Sequence, residues 1–394
     1  MYDLIIRNAR VYPMTGDLSP AGFDSIAVQD GRIAATGPEA DATAVEEIDA
    51  GGRVLMPGFI DCHTHILHAG HRMEEHAMKL RGASYEELAR AGGGILATVG
   101  AVREADEDQL VAETLPRVEA LLREGVTTIE AKSGYGLDTE NELKMLRAIR
   151  QLERQSPAHF RPTFLGAHAI PKDRSREAYM DEVVKEMLPR VAEEALADTA
   201  DIYVEKIAFT VADLERLAAA CKESGLQLRA HTDQFSNMGA TRRAAELGAL
   251  SCDHLEYTEA ADIDAMAGAG TAAVLIPGAF YHLRETKLPP IEGLRQAGVP
   301  MAVATDNNPG SSPLVSLQTA MHMAAILFGM TAEEILHGVT ANAARAIGQA
   351  EDIGRIETGL RADLALWDIP APEFLVYQLG GLQAEQIFIG GHPV

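Results

Sequence analysis

Histidine side chains recur in this sequence where apolar runs end, and histidine is the commonest protein ligand of transition metals. His63 and His65 close the run that begins at Val54, and residues two apart on a strand point to the same face. Both imidazoles can therefore reach one ion. His231 and Asp306 close two later runs and add a third imidazole and a carboxylate. This donor set suits zinc and other borderline metals such as iron, and it predicts a metal site.

The same donors predict hydrolytic chemistry. A metal site that is left partly open holds a water molecule, and zinc lowers the pKa of that water to about 7. Asp306 can accept the water's proton, while His254, at the end of another apolar run, polarises a carbonyl group or holds the water. The alternative is that these residues only cap strands at a hydrated rim. Four such groups at separate strand ends favour the metal site.

The elements that must position these residues alternate between short apolar strands and amphipathic helices over about 290 residues, which is typical of βα units around a parallel sheet. Eight such units predict a (β/α)8 TIM-type barrel, in which the chemistry lies at the carboxyl ends of the strands. Helices are predicted over 107–124, 139–153 and 211–224, with Thr139 and Thr210 as N-caps of the last two. The predicted strands are 59–65, 127–131, 161–167, 201–205, 226–230, 249–253, 271–276 and 301–305.

The two ends of the chain have a different texture. Residues 2–53, and again those from 354 onward, alternate apolar and polar side chains between Gly and Pro breaks, a pattern of short strands and hairpins. We therefore expect a small β-sandwich domain of residues 1–56 and 354–394, and a metal-dependent barrel of residues 57–353. Pro57 and Gly58 mark the break before the first barrel strand.

Composition limits the partners of the chain. Its net charge of −24, from 34 basic and 58 acidic residues, argues against a nucleic-acid-binding surface. An anionic substrate would need a locally placed cation to offset this field. No apolar run approaches the roughly 18–20 residues that span a bilayer, and the start lacks a secretory pattern, so we expect a cytoplasmic location and no membrane partner. Cys62, Cys221 and Cys252 are too few for a disulfide framework.

Pro57–His65, followed in order by His231, His254 and Asp306, resembles the metal-binding pattern of the amidohydrolase superfamily. Members of that superfamily are metal-dependent (β/α)8 barrels with a small β-sandwich made from both chain ends. A closer resemblance, to the imidazolonepropionase family of histidine degradation, covers nearly the whole chain. It rests on the segments Gly92–Ile95, Lys132–Leu137, Phe164–Ala169, Asp253–Leu255 and Ala304–Ser312.

The resemblance implies an activity and the residues that perform it. Imidazolonepropionases hydrolyse the ring C–N bond of 4-imidazolone-5-propanoate, a small anionic substrate, to N-formimidoyl-L-glutamate with one zinc or iron ion. Arg72 stands where the family binds the substrate carboxylate, and the bidentate fork of arginine suits that role. We also expect a homodimer. Matching positions imply His63, His65, His231 and Asp306 as metal ligands, Asp306 and His254 as catalytic residues, and Tyr135, His168, Gln234, Asn308, Gly310 and Ser311 as further substrate-binding residues.

Some alternatives remain open at the level of single residues. Without the resemblance, Arg72 would be interpreted as one half of a surface ion pair. Gln234 stands where many deaminases and some imidazolonepropionases carry Glu. An amide cannot shuttle a proton, which disfavours a nucleobase deaminase. Glu205 and Lys206 follow strand four, where a binuclear site has its bridging ligand, so one metal is favoured without excluding two. Gly92–Gly94 is interpreted as a flexible active-site loop rather than a phosphate loop.

Two other functions compete with the leading hypothesis. A cyclic-amide hydrolase or deaminase of the same superfamily would share the metal and the fold, but not the set of Arg72, Tyr135 and His168. A non-enzymatic protein that kept the barrel should have lost a metal ligand, and the sequence retains all four.

Overall fold

The structure is a computed structural model that describes residues 1–40, 42–83 and 93–394. The two ends of the chain form two small sheets. Their strands are β1 (Tyr2–Arg7), β2 (Arg10–Val11), β3 (Ile26–Gln29), β4 (Arg32–Thr36), β5 (Ala44–Asp49) and β6 (Val54–Pro57). From the C-terminal end come strands numbered after those of the barrel, β16 (Leu364–Trp367), β17 (Gln386–Ile389) and β18 (His392–Pro393).

The first sheet has the order β4-β3-β1-β5 and the second β18-β17-β16-β6-β2, so only the second draws on both ends of the chain. Leu4 and Val28 of the first sheet share one buried apolar cluster with Leu55 and Phe388 of the second. Two sheets that bury one common core form a sandwich. The predicted β-sandwich from both chain ends is therefore confirmed.

The middle of the chain forms a parallel barrel. Its strand order is β7-β8-β9-β10-β12-β13-β14-β15, with β11 beside β10, and each neighbouring pair is parallel. These strands are β7 (Phe59–Asp61), β8 (Val126–Lys132), β9 (His159–Ala167), β10 (Thr199–Val204), β11 (Gln227–Leu228), β12 (Ala230–Thr232), β13 (Ser251–His254), β14 (Ala272–Leu275) and β15 (Met301–Val303).

The first and last barrel strands approach each other beyond their formal ends. The amide of His65 donates to Asn307 O at 3.0 Å, and that of Asp306 donates to His63 O at 3.0 Å. Asp61 adds a side-chain link, since its carboxylate accepts from both Thr305 N and Thr305 Oγ1. The (β/α)8 barrel is confirmed.

The expected first strand, 59–65, is too long. β7 ends at Asp61, so His63 and His65 lie in the irregular segment after it and the argument from strand alternation is wrong for them. Their backbone is fixed instead by the hydrogen bonds across the barrel seam. The fifth strand, expected as 226–230, is split into β11 and β12.

Helices cover the outside of the barrel. In the described residues they are α1 (Met73–Leu80), α2 (Ile95–Glu104), α3 (Glu107–Arg123), α4 (Thr139–Gln155), α5 (Arg176–Glu182), α6 (Leu188–Glu193), α7 (Val211–Ser224), α8 (Ala240–Glu246), α9 (Ala260–Ala269), α10 (Pro277–Leu283), α11 (Ile291–Ala297), α12 (Leu317–Phe328), α13 (Ala332–Gly338), α14 (Ala341–Ala346) and α15 (Phe374–Tyr377), with a π-helical turn at Val183–Met187 between α5 and α6. None of them is long and apolar enough to cross a membrane.

Of the two predicted N-cap residues, one is confirmed and one is wrong. Thr210 caps α7 in a capping box with Asp213, as expected. Thr139 is not the cap of α4, because Asp138 takes that place and its carboxylate accepts from Asn141 N at 2.9 Å. Asp and Thr are both good N-caps, and the sequence offers them side by side.

Candidate metal centre and substrate cavity

The four predicted metal ligands meet at the carboxyl ends of the barrel strands. Asp306 Oδ1 lies 3.5 Å from His63 Nε2 and 3.4 Å from His65 Nε2. His65 Nε2 lies 3.4 Å from His231 Nε2, and the ligand atoms of the three histidines all fall within 4.8 Å of one another. All four side chains are buried. The chain thus converges three imidazoles and one carboxylate on a single point.

This donor set fits a metal ion. Ligands at about 2.0–2.2 Å from a tetrahedral ion lie roughly 3.3–3.6 Å from each other, the separations seen here. His63 Nε2 is buried and has no hydrogen-bond partner among the described residues. A buried nitrogen without a partner is costly unless something else binds it. Burial also lowers the pKa values of His63 and His65 well below their ordinary values, which keeps both rings neutral as metal binding requires.

Two carboxylates orient the ligand rings from below. His63 Nδ1 donates to Asp253 Oδ2 at 2.6 Å, and His231 Nδ1 donates to Asp201 Oδ1 at 3.1 Å. Each bond fixes the tautomer in which Nε2 carries the lone pair that faces the cluster. Carboxylate–histidine pairs of this kind are typical of metal sites, where they set ring orientation and raise the basicity of the ligand.

Beneath these pairs lies a buried charge network of Glu130, Lys132, Asp201, Arg229 and Asp253. Lys132 Nζ is 2.8 Å from Glu130 Oε1 and 2.8 Å from Asp201 Oδ2. Arg229 lies 2.9 Å from Glu130 and 3.1 Å from Asp253. All five side chains have no solvent-exposed area. Burial acts to raise the pKa of Asp201, but the interaction with His231 and the charge of Lys132 outweigh it and lower that pKa well below its usual range.

The network bears on the number of ions. Asp201, His231 and Asp253 form a second group whose ligand atoms lie within 4.8 Å of each other. Its two carboxylates already bind an ammonium and a guanidinium, so the positions that would face a second cation are taken. Glu205 is also engaged elsewhere, since it accepts from the amides of Lys206 at 2.8 Å and Ser236 at 3.0 Å.

Above the cluster lies a cavity of about 230 Å³. Its lining includes all seven predicted substrate-binding residues, together with His65, His231, His254 and Asp306. His63 lies deeper, with no exposed side-chain area. The cavity is also lined by five residues that no sequence motif marked, namely Lys79, Ile95, Tyr203, Phe235 and Leu283. One cavity therefore joins the predicted ligands to the predicted substrate contacts.

Arg72 combines the two interpretations that the sequence left open. Its Nε and Nη2 bind Glu75 at 2.8 and 2.6 Å, which is an ion pair. The guanidinium nevertheless lies in the cavity wall, and the side chain is only 16% exposed. Its Nη1 points toward Gly310, where a Cβ atom would collide with it. Glycine at 310 therefore leaves space for the guanidinium to reach the cavity.

Polar side chains in the cavity wall are held in fixed orientations. His168 Nδ1 donates to Gly134 O at 2.9 Å, and its ring stacks on that of His65 with centroids 4.9 Å apart. Burial lowers the pKa of His168 to about 4, so the ring is neutral near pH 7. Tyr203 Oη donates to Gln234 Oε1 at 3.0 Å, which leaves the amide nitrogen of Gln234 for a ligand.

The loop after β15 is held by its own side chain. Asn308 Nδ2 donates to Asp306 O at 2.7 Å, and Asn308 Oδ1 accepts from the amides of Gly310 at 2.8 Å and Ser311 at 2.7 Å. Asn308 therefore shapes the cavity wall next to Asp306. Of the expected glycine loop, Gly92 lies outside the described residues, while Gly94 N donates to Glu75 Oε2 at 2.8 Å.

Four described residues at or just past the ends of barrel strands have left-handed backbone, one of them Leu255 with a φ of 76°. The other φ angles are 53° at Asp233, 83° at His254 and 52° at Asp306. Such values are uncommon outside glycine, and strained backbone tends to be kept where function requires it. His254 and Asp306 are the two predicted catalytic residues, and both side chains enter the cavity. Burial raises the pKa of Asp306 well above its ordinary value.

The sequence analysis assigned no role to the buried charge network. A usable signal was present, because Glu130, Lys132, Asp201, Arg229 and Asp253 lie in or beside apolar strands where charges are rare. Which charges pair could not be inferred, since the partners lie 2 to 190 residues apart in the chain, as Glu130–Lys132 and His63–Asp253 show.

Comparisons with known proteins agree with this geometry. The amidohydrolase family profile matches residues 54–394. An imidazolonepropionase of Rhizorhabdus wittichii is 52% identical over 386 residues, 96% of each chain. Another, from Xanthomonas campestris pv. campestris, is 49% identical over 399 residues, 99% of each chain.

Solved structures share the fold at low sequence identity. A zinc-bound adenosine deaminase from Xanthomonas campestris has a TM-score of 0.72 at 19% identity, and the match covers 100% of this chain and 92% of that one. A zinc-complexed atrazine chlorohydrolase from Arthrobacter aurescens TC1 has a TM-score of 0.76 at 16% identity, over 99% and 94%.

The profile match and the close relatives, taken with the donor cluster, support a divalent metal ion at this site. The chain belongs to the amidohydrolase family and, within it, to the imidazolonepropionases.

Proposed function

We propose that this protein hydrolyses the ring C–N bond of 4-imidazolone-5-propanoate to N-formimidoyl-L-glutamate in histidine degradation. The observation that carries the proposal is one cavity with a guanidinium at one side and a three-histidine, one-aspartate cluster at its base. A small substrate with a carboxylate and a cyclic amide matches both features. Relatives about half identical over nearly their full length, named imidazolonepropionase, support it.

The residues divide the work by position. Arg72 binds the propanoate, and Tyr135 and His168 hold the ring against the cluster. His63, His65, His231 and Asp306 would hold a zinc or iron ion, which would supply a Lewis acid and lower the pKa of a water molecule.

Asp306 and His254 act on the reacting bond, with Asp306 as the proton acceptor. Asp306 takes a proton from the attacking water, while His254 hydrogen-bonds the ring carbonyl. The water oxygen bonds to the carbonyl carbon, the bond from that carbon to the ring nitrogen breaks, and Asp306 returns the proton to the leaving nitrogen. Gln234 donates its amide to the ring and takes no proton. Asn308, Gly310 and Ser311 complete the wall.

The proposal extends to the number of metal ions, the domain boundaries and the assembly of the chain. We propose a single ion, because Lys132 and Arg229 occupy the places of a second cation. We propose the division into residues 1–56 with 354–394 and residues 57–353, since β6 belongs to the sandwich and β7 to the barrel. A cytoplasmic homodimer completes the proposal. Elemental analysis tests the metal and its stoichiometry, and light scattering tests the dimer.

The decisive experiment is a direct assay on enzymatically generated 4-imidazolone-5-propanoate, run beside hydantoin, guanine and cytosine. We expect turnover of the first substrate alone, because the others lack the carboxylate that Arg72 binds. An Asp306→Asn protein serves as the matched negative control. Turnover confined to the other substrates would overturn the proposal.

A further inference from the structure

A second cavity opens beside the substrate cavity and shares part of its wall. It has a volume of about 760 Å³ and lies between α1 and α10. Arg72, Lys79, Asn308 and Gly310 line both cavities. The guanidinium that we assign to the substrate carboxylate therefore stands at the boundary between the two spaces. We call the second cavity the vestibule.

The charge of the vestibule is opposite to that of the chain. Its described lining carries four cationic side chains, Arg72, Lys79, Arg117 and Arg284, and one carboxylate, Glu75. The chain as a whole has 58 acidic residues against 34 basic ones. One carboxylate cannot neutralise four cations. Glu75 Oε1 already forms ion pairs with both Arg72 Nη2 at 2.6 Å and Lys79 Nζ at 2.7 Å.

The two remaining cations have no acidic partner within ion-pair distance among the described residues. Arg117 donates to His68 O at 2.8 Å and to Thr114 Oγ1 at 3.2 Å, which are neutral groups. Arg284 ends α10 with a left-handed backbone, φ 59°, and its side chain is exposed. Glu113, beyond ion-pair distance, partly offsets the field of Arg117. Arg284 is exposed, forms no ion pair with a described residue and keeps its field toward an approaching anion.

We propose that the vestibule collects small carboxylates from solvent and delivers them to Arg72, with Arg284 as its outermost contact. The inference rests on the proposed function, since the substrate is an anion that must approach a protein of net charge −24. A low-dielectric cleft lined by one sign of charge raises the local concentration and association rate of the opposite ion. Substrate and product both carry a carboxylate, so either can use the vestibule.

The test is charge reversal at Arg284. We expect Arg284→Glu to lower kcat/KM about 5- to 20-fold at an ionic strength of about 20 mM, with most of the loss in KM, and the loss to shrink toward 2-fold near 0.5 M salt. Arg284→Lys should restore most of the activity because it restores the charge. The matched control is Arg154→Glu, which makes the same charge change at an exposed residue of α4 that does not line the vestibule.

Calorimetric titration with glutarate separates this proposal from the proposed function, because it needs no turnover. Weaker glutarate binding to Arg284→Glu than to Arg154→Glu supports the vestibule even in a protein that leaves imidazolonepropanoate untouched. Equal kcat/KM and equal glutarate affinity in the two variants at every salt concentration would overturn it. If Arg284→Glu weakened product inhibition but left kcat/KM unchanged, the proposal would also be overturned. The vestibule would then have no role in substrate entry. Thermal unfolding midpoints within about 2 °C of the parent protein confirm that the variants fold.

Discussion

The site lies between two charged regions built on opposite principles. In the buried charge network below it, each cation lies within 3.1 Å of two carboxylates, and no side chain is exposed. In the vestibule beside it, four cations face one carboxylate, and Lys79 is 38% exposed. The network uses neutralised charge to fix geometry. The vestibule leaves charge uncompensated, which attracts anions, and its outer cations Lys79 and Arg284 remain in contact with water.

This difference predicts where substitutions are expensive. Removing one partner of a buried ion pair leaves an unpaired charge without solvent and costs about 3–5 kcal/mol, whereas an exposed pair is worth about 0–1 kcal/mol. The following variants probe the site between the two regions, then the network, then the vestibule, in order of decreasing effect.

The largest effect is expected at the point where the two regions meet. Asp306→Asn should lower kcat by about a thousandfold or more, because it removes a ligand charge and the proposed proton acceptor together. Steady-state kinetics on protein of measured metal content checks this. Turnover within tenfold of the parent protein at full metal loading would assign proton transfer to another residue.

Lys132→Met tests the network itself. The change leaves Asp201 without its ammonium partner and Glu130 with Arg229 as its only cation in the network, so we expect the free energy of unfolding to fall by about 3–5 kcal/mol. Metal affinity should fall about 10- to 100-fold, because Asp201 no longer holds His231 in one orientation. Urea unfolding and chelator competition measure the two effects separately.

The control for this variant is Lys185→Met, which removes a lysine whose partner Asp181 lies on the surface. Its free energy of unfolding should change by less than about 0.5 kcal/mol. Similar losses in the two lysine variants would contradict the distinction between the buried network and surface ion pairs.

Features of the site that depend on local sequence pattern could be predicted from the sequence, and those that depend on contacts between distant segments could not. The barrel, the sandwich and the convergence of the four predicted ligands could be anticipated because strand ends can be located by pattern, and a metal site needs particular side chains there. Asp253 was visible beside His254, but its bond to His63 depends on strands one and six being brought together by barrel closure. The vestibule was not predictable at all, since α1 and α10 are about two hundred residues apart in sequence and adjacent only in the fold.

Local rules failed where tertiary contacts override them. The sequence predicts a strand through His65, yet β7 ends at Asp61 because the chain then turns to bond Asn307 and Asp306 across the barrel seam. The histidines reach the same point by this different route. The convergence of the four predicted ligands on one point therefore does not confirm the local structure from which they were inferred.

Arg72→Met tests the boundary between site and vestibule, and we expect an intermediate effect. Loss of a carboxylate partner should cost about 2–4 kcal/mol in kcat/KM, mainly through KM. Arg72→Lys keeps the charge but loses the bidentate fork, so it should recover only part of the affinity. Kinetics of both variants at two ionic strengths check this. Parent-like kinetics in Arg72→Met would show that the propanoate binds elsewhere.

Glu75→Gln should have the smallest effect on activity and a favourable sign. The change removes the only described carboxylate of the vestibule wall, so KM should fall by up to about threefold at low ionic strength and return to the parent value at high salt. The free energy of unfolding should fall by about 1–3 kcal/mol, because the Glu75 side chain is only 10% exposed and Arg72 loses a charged hydrogen-bond partner.

The pH dependence sharpens this last test. Burial acts to raise the pKa of Glu75, but hydrogen bonds from Arg72, Gly94 N and Lys79 outweigh it and lower that pKa to about 2. A depressed pKa means that the carboxylate stabilises the fold above its ordinary pKa and loses that effect only as the pH falls toward 2. Glu75→Gln and the parent should therefore differ by a constant factor in KM from about pH 5 to pH 9. A KM that rises in Glu75→Gln at every salt concentration would instead show that Glu75 acts by orienting Arg72. Glu75 would then fix geometry, as the carboxylates of the buried network do, rather than offset the charge of the vestibule.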